Sequence, residues 1–239
     1  AEAVSLDKLK AQYPGTYRFV MEQAEDFKSR ERGKAAKMQH WYEYIYPKNL
    51  VKFEQRRLSS MEICTAYPNV TLNEGGLYHA TTVYSWVKNE DTKESYEYLL
   101  AVANSSVLWW FLKNTGDTLQ GDARRLKSNY LNPFPIPKEV SRQDEAAIAL
   151  LTRYVLWLNA GHATGLSISN AAVQQYFQYV LDACVCELYF GAEMRAQKVD
   201  VLEYVASDIG QPQAVESERI AALYQAWRSP DSEVRNRVK

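Results

Sequence analysis

The chain has little of what metal centres and disulfide scaffolds are made from. Three cysteines and three histidines are spread over 239 residues. His40, His79 and His162 lie far apart, and no His/Cys partners stand near the cysteines, so neither a metal site nor a catalytic triad is indicated. Cys184 and Cys186 fall in an apolar, helix-like run and are expected as buried reduced thiols. An odd cysteine count fits a reducing compartment, and the expected location is the cytoplasm. Net charge is also scarce, at −1, which argues against a general polyanion binder. No apolar run approaches a membrane span and no signal-peptide pattern is seen, so no membrane partner is expected. The start at Ala-Glu-Ala, without Met, suggests processing or a piece of a longer protein. A Gly-x-Gly phosphate or cofactor loop is missing, as is an acidic pair with a Glu-x-Lys partner.

What is abundant points elsewhere. Hydrophobic residues make up 46%, enough for a sizeable core. Seventeen Tyr and six Trp exceed what a plain core requires, and they suit surfaces that are apolar and hydrogen-bonding at once. Charge is segregated. Residues 1–60 carry 12 basic and 8 acidic groups, and residues 111–140 carry 5 and 3. The intervening residues 61–110 carry 2 and 6. The two positive stretches give a chain of near-zero net charge the local charge that a phosphate-facing side needs.

In chain order, Ser5 is a plausible N-cap for a first helix that Pro14-Gly15 breaks. A second helix is predicted from Thr16 to Arg32, stopped by Gly33. The basic run Lys28, Arg30, Arg32, Lys34 and Lys37 reads as a solvated helix end or as a phosphate-contacting run. Alternation and aromatic content over Trp41–Pro47 predict a strand or a docked extended segment, and 49–57 a short helix or loop. Strands are predicted at 61–66, 70–72 and 77–87, forming a hairpin or meander around the Asn73-Glu74-Gly75-Gly76 turn. One helix is predicted over 95–113, then a polar loop with Gly116, Gly121 and Arg124-Arg125. Ser141 and Ser169 open further helices with apolar stripes at 147–158 and 173–188. A last helix runs from Glu216 to Trp227, with a mobile tail from Ser229. The fold class is α+β: an N-terminal helix, a small central β-sheet with one packed helix, then a helical C-terminal subdomain. The domains are expected at 1–138 and 139–239.

A series of short motifs occurs in a particular order. It comprises Tyr13-Pro14 with Tyr17, Arg30, Trp41-Tyr42, Pro47-Lys48, a strand at Ile63, Gly75-Gly76 and Tyr78. The helix Tyr98–Ser105 with its Asn-Ser pair follows, and Pro135-Ile136-Pro137 closes the series. This order resembles the TaqI-like C-terminal specificity domain of adenine-N6 DNA methyltransferases and fused type II restriction-modification enzymes. The chain departs from the family pattern in Ala-Asn-Ser-Ser at 103–106 and in Arg56-Arg57. The resemblance implies a target recognition domain that binds double-stranded DNA. An upstream methyltransferase domain of the same polypeptide, using S-adenosylmethionine, would flip and methylate an adenine. No cofactor is expected in this chain. Asn132-Pro133-Phe134-Pro135 lacks the second proline of the tetrapeptide that holds a flipped adenine, and reads as a turn. The chain is therefore not expected to be an enzyme itself.

Base edges are read by Arg, Asn, Gln and small polar side chains, and phosphates by Lys, Arg and Tyr. The candidates for base contact are His79, Thr81, Gln120, Asp122, Arg124 and Arg125. Those for phosphate contact are Lys48, Lys52, Arg56, Arg57, Lys88, Lys127 and Tyr130. The loop 114–128 is the strongest as a unit. Two other readings compete. One is half of a type I restriction specificity subunit, for which a second Asn-Ser…Pro-Ile-Pro copy is expected. The other is a helical protein-interaction module using residues 141–227.

Overall fold

A computed structural model describes residues 3–46, 48–210 and 215–238. The chain falls into two compact units, residues 1–55 and 56–239. The architecture is α+β.

In the first unit, Ser5 caps α1 (Leu6–Gln12) by accepting from the Lys8 amide at 3.3 Å. α2 (Pro14–Glu22) opens on Pro14, where a missing amide costs nothing. α3 (Ala24–Gly33) ends in three residues of positive φ, Glu31, Arg32 and Gly33. Of the two readings for this stretch, the strand is not formed over Trp41–Tyr46. Arg30 Nη2 donates to the carbonyls of both Trp41 (2.7 Å) and Glu43 (2.9 Å), so they converge on one guanidinium instead of pointing into a ladder. Lys28 lies over the Trp41 ring and Lys34 over that of Tyr46, which gives part of the basic run aromatic partners. α4 (Leu50–Phe53) follows. Pro47, one of the motif residues, lies outside the described residues.

The second unit starts with β1 (Arg57–Met61), the middle strand of an antiparallel sheet ordered β3-β1-β4. β3 is Val70–Asn73 and β4 is Val83–Trp86. Leu58 faces Leu72 on one neighbour and Trp86 on the other, and all three join an apolar cluster with Leu100, Leu108, Leu112 and Leu126. A separate two-residue ladder joins β2 (Ile63–Cys64) to β5 (Arg124–Arg125). The predicted strand over 77–87 is thus reduced to 83–86. Both edges of β1 are occupied by β3 and β4. The 77–80 segment is instead held by Arg57, fully buried, which donates to the Leu77 carbonyl and to Ser85 Oγ. Nor is the sheet a meander, because β4 crosses to the far side of β1.

The single helix predicted at 95–113 is two, α5 (Tyr96–Ala103) and α6 (Ser106–Thr115). The Asn-Ser pair divides them. Ser105 caps α6 by accepting from the Leu108 amide. Asn104 ends α5 and turns its amide onto strand β3: Oδ1 accepts from Val70 N–H and Nδ2 donates to Val70 C=O, each at 2.9 Å. Asn104 therefore pairs with the strand as another strand would. Beyond Glu97 in its first turn, α5 is apolar because it is buried on two sides. Leu100 and Ala103 belong to the sheet cluster. Tyr98, Ala101 and Val102 belong to a second core with Ile148, Leu151 and Phe177.

That second core is built by α8 (Arg142–Asn159), α9 (Asn170–Ala196), α10 (Leu202–Ile209) and α11 (Ser217–Arg228), after the short α7 (Ser128–Leu131). Ser141 and Ser169 cap α8 and α9 as expected. The stripes at 147–158 and 173–188 supply many of its buried residues. The tail expected to be mobile forms α12 (Glu233–Arg237), where Val234 is buried and Arg237 pairs with Asp200 at 2.9 Å. Cys184 is buried and Cys186 half-buried, and burial pushes both thiols up. Among the described residues, no cluster of His, Cys, Asp or Glu could hold a metal ion. No helix there is long and apolar enough to cross a membrane.

Candidate nucleic-acid interface

Two loops carry most of the sequence-derived contacts, and one backbone position joins them. Glu62 N–H donates to Thr82 C=O (2.9 Å), while Glu62 C=O accepts from Leu126 N–H (2.8 Å). These two bonds set the 79–82 segment and the 124–127 segment on either side of Glu62. Its carboxylate then takes two cations, Arg125 and Lys127, the latter at 3.6 Å. One carboxylate shared by two cations leaves positive charge there, and exposed Thr81 lies one residue from the same junction.

Asp122 repeats the arrangement at the tip of the second loop. It pairs with Arg124 at 3.0 Å and with Lys113 at 3.8 Å. Arg124 is 4% exposed and donates to the carbonyls of Asp122 (2.9 Å) and Ala123 (3.1 Å). Its guanidinium is the internal brace of the loop. Gly121 and Asp122 take positive φ, 75° and 61°, and the turn they make leaves Gln120 exposed. Tyr130 donates to Asp117, and that hydrogen bond raises its phenol pKa.

The remaining candidates are distributed differently. His79 is engaged by its own chain: Nε2 lies 2.6 Å from Ser85 Oγ and Nδ1 3.0 Å from Ala80 C=O. Arg57 is buried behind it. Arg56 is bound by two carboxylates, Glu74 at 2.8 Å and Glu97 at 3.1 Å. Burial pushes the Glu97 carboxyl up, but hydrogen bonds from Arg56 and its own amide, with the charges of Arg56 and Arg153, hold it below the usual carboxylate range. Lys88 stands at the end of β4, with Nζ donating to Glu94 C=O at 2.6 Å and lying 5.2 Å from the Tyr96 ring centroid. Lys48 and Lys52 are exposed, but they belong to the first unit, around α4.

Between β4, the start of α5 and the 126–136 segment opens a cleft of about 710 Å³. Lys88 and Lys127 both line it. Its floor is apolar, with Leu58, Leu99 and Leu126, and Tyr84 and Trp86 form one wall. At its far end Phe134 packs against Phe111 and Tyr189, and the Tyr189 hydroxyl donates to Pro135 C=O at 2.9 Å. The aromatic of Asn132-Pro133-Phe134-Pro135 is thus an internal packing group in a turn, as its sequence suggests.

Residues 6–136 match the TaqI-like C-terminal specificity domain family. The chain belongs to this family. The matched span contains both loops, the Glu62 junction, the Asn104 contact with β3 and the cleft. A specificity domain recognises DNA for a methyltransferase-type protein, and its work is recognition, not catalysis. No curated protein matches the chain.

Several residues that shape this specificity domain carry no signal in the sequence. Glu62 is one acidic residue in a strand-like stretch, yet it links both loops through its backbone and its carboxylate. Ser85 joins Arg57 to His79. Asn104 was visible as half of an Asn-Ser pair, but its contact with Val70 follows from the sheet order, which sequence patterning does not give.

Proposed function

We propose that this chain is the sequence-reading part of a type II restriction-modification enzyme. It would hold duplex DNA against the Glu62 junction while a neighbouring S-adenosylmethionine-dependent domain flips and methylates an adenine at N6. The observation that carries the reading is the convergence of the Thr82 carbonyl, Arg125 and Lys127 on Glu62, with exposed Thr81 beside them, within a chain of the specificity-domain family. In this reading Thr81, Gln120 and Arg125 face base edges: all three keep exposed surface on the two joined loops, whereas Asp122, also exposed, is taken by Arg124 and Lys113. Lys88, Lys127 and Tyr130 face phosphates, and Lys48 and Lys52 are phosphate candidates of the first unit by itself. Arg57, Arg124 and His79 hold the loops in shape, and Asp122 orients Arg124. Arg56 belongs to the ion network that supports α5. The setting is the cytoplasm, where such enzymes meet DNA.

The test is selection from a library of random duplexes by the full chain at two salt concentrations, beside Thr81→Ala, Gln120→Ala and Arg125→Gln. Enrichment of one short motif, relaxed at different positions by the different variants, is the expected result. Equal enrichment by wild type and all three variants would remove these side chains from the reading of sequence.

A further inference from the structure

The cleft beside β4 has a chemistry that a flat duplex-binding surface does not need. Its wall consists of Tyr84 and Trp86, which alternate along β4 and so face the same side of the strand. Its floor is aliphatic. Three amides, Asn89, Asn129 and Asn132, also line it. Two ammonium groups, Lys88 and Lys127, line its edges. Aromatic faces and aliphatic floor suit the two faces of a planar heterocycle, amides suit its polar edge, and lysines suit an attached phosphate. The volume, about 710 Å³, lies in the range of about 300–1,000 Å³ typical of small-ligand sites, and a double helix is far too wide to enter it.

We propose that this cleft receives one nucleotide of the bound DNA after it has left the base stack. The base lies against Tyr84 and Trp86, and its phosphate lies between Lys88 and Lys127. The inference rests on the DNA-recognition reading above, because the same two lysines serve both. It goes further by giving the specificity domain a nucleotide site of its own. Charge complementarity selects the occupant. The lysines on the edges of the cleft favour an anionic ligand. Glu62, the carboxylate nearest Lys127, is already shared with Arg125.

The experiment compares the full chain on three duplexes of one sequence: fully paired, with a single unpaired nucleotide, and with an unpaired abasic sugar at that position. Affinity is read by anisotropy at low salt, and tryptophan fluorescence is recorded in parallel. The unpaired nucleotide is expected to bind about tenfold more tightly than the paired duplex and to quench tryptophan emission; the abasic sugar is expected to do neither. Asn89→Phe and Asn132→Phe, which place bulk at exposed positions lining the cleft, should remove the preference and leave affinity for paired duplex intact. Paired duplex bound without any preference for the unpaired nucleotide would overturn the proposal and leave the DNA-recognition reading standing. A preference that survives both Phe variants would overturn its location. Failure to bind any of the three would overturn the reading on which the proposal rests.

Discussion

Replacing Asn104 by Ala tests how the domain is held together. The side chain makes two hydrogen bonds to one residue of β3, and Val70 is 6% exposed. Alanine leaves both the N–H and the C=O of Val70 without these partners. A buried backbone group deprived of its partner costs about 1–3 kcal/mol. Val70 lies on an edge strand, where water reaches part of the gap, so the expected loss is ~2–4 kcal/mol in all. Urea unfolding followed by tryptophan fluorescence should show the midpoint falling with an unchanged slope. Asn104→Asp refines the argument. At neutral pH its carboxylate still accepts from Val70 N–H but opposes Val70 C=O. Protonation restores a donor, so the native state favours the neutral acid and the folded pKa is raised. The stability of this variant relative to wild type should therefore be best below about pH 4, the unfolded value, and decline as pH rises through the folded one. An Asn104→Ala chain within ~0.5 kcal/mol of wild type, the range usual for inconsequential surface changes, would refute the pairing as a source of stability.

Three further outcomes follow from the same geometry. Glu97, held below the usual carboxylate range, contributes stability that is present above about pH 4.5 and lost as pH falls through its folded value; acid titration should therefore weaken wild type more steeply than Glu97→Gln. Lys88→Gln and Lys127→Gln should each weaken binding about equally across DNA sequences and lower the salt slope by roughly 0.9, whereas an unchanged slope would take that lysine off the phosphate path. Arg57→Met removes the donor to the Leu77 carbonyl and should make the 74–82 loop an early site of protease cleavage, with native-like circular dichroism in the rest of the chain.

What the sequence made legible was mostly local chemistry. Ser5, Ser141 and Ser169 are helix caps because a hydroxyl before an apolar-periodic run satisfies an amide within three residues, and no distant partner is needed. The apolar stripes of α8 and α9 were visible for the same reason. Long-range partners were not. An arginine in a sequence does not show whether it will point outward, and two of the candidate contacts, Arg57 and Arg124, are buried braces. The segments 41–46 and 77–80 have strand-like composition, but their carbonyls serve Arg30 and Arg57. The tail from Ser229 was expected to be mobile as a chain end, yet Val234 inserts into the helical core and Ser232 caps the turn that carries it. The candidate site itself was half legible. Its two loops could be found, while Glu62, the residue that sets them side by side, could not.

The two-sided burial of α5 bears on how new specificities could arise in such a protein. If recognition were a detachable module, a new target could be acquired by exchanging everything up to the Pro-Ile-Pro segment. Here a cut at 138 would leave Tyr98, Ala101 and Val102 facing solvent on one piece and Ile148, Leu151 and Phe177 on the other. Both pieces would carry exposed apolar surface of the kind that leads to aggregation. On the recognition reading proposed above, a new target would instead be acquired at the exposed tips of the 79–82 and 114–127 loops. There, Thr81 and Gln120 are exposed and belong to neither core, so they can vary without disturbing the helix behind them, whereas Leu126 at the base of the second loop is part of the sheet core.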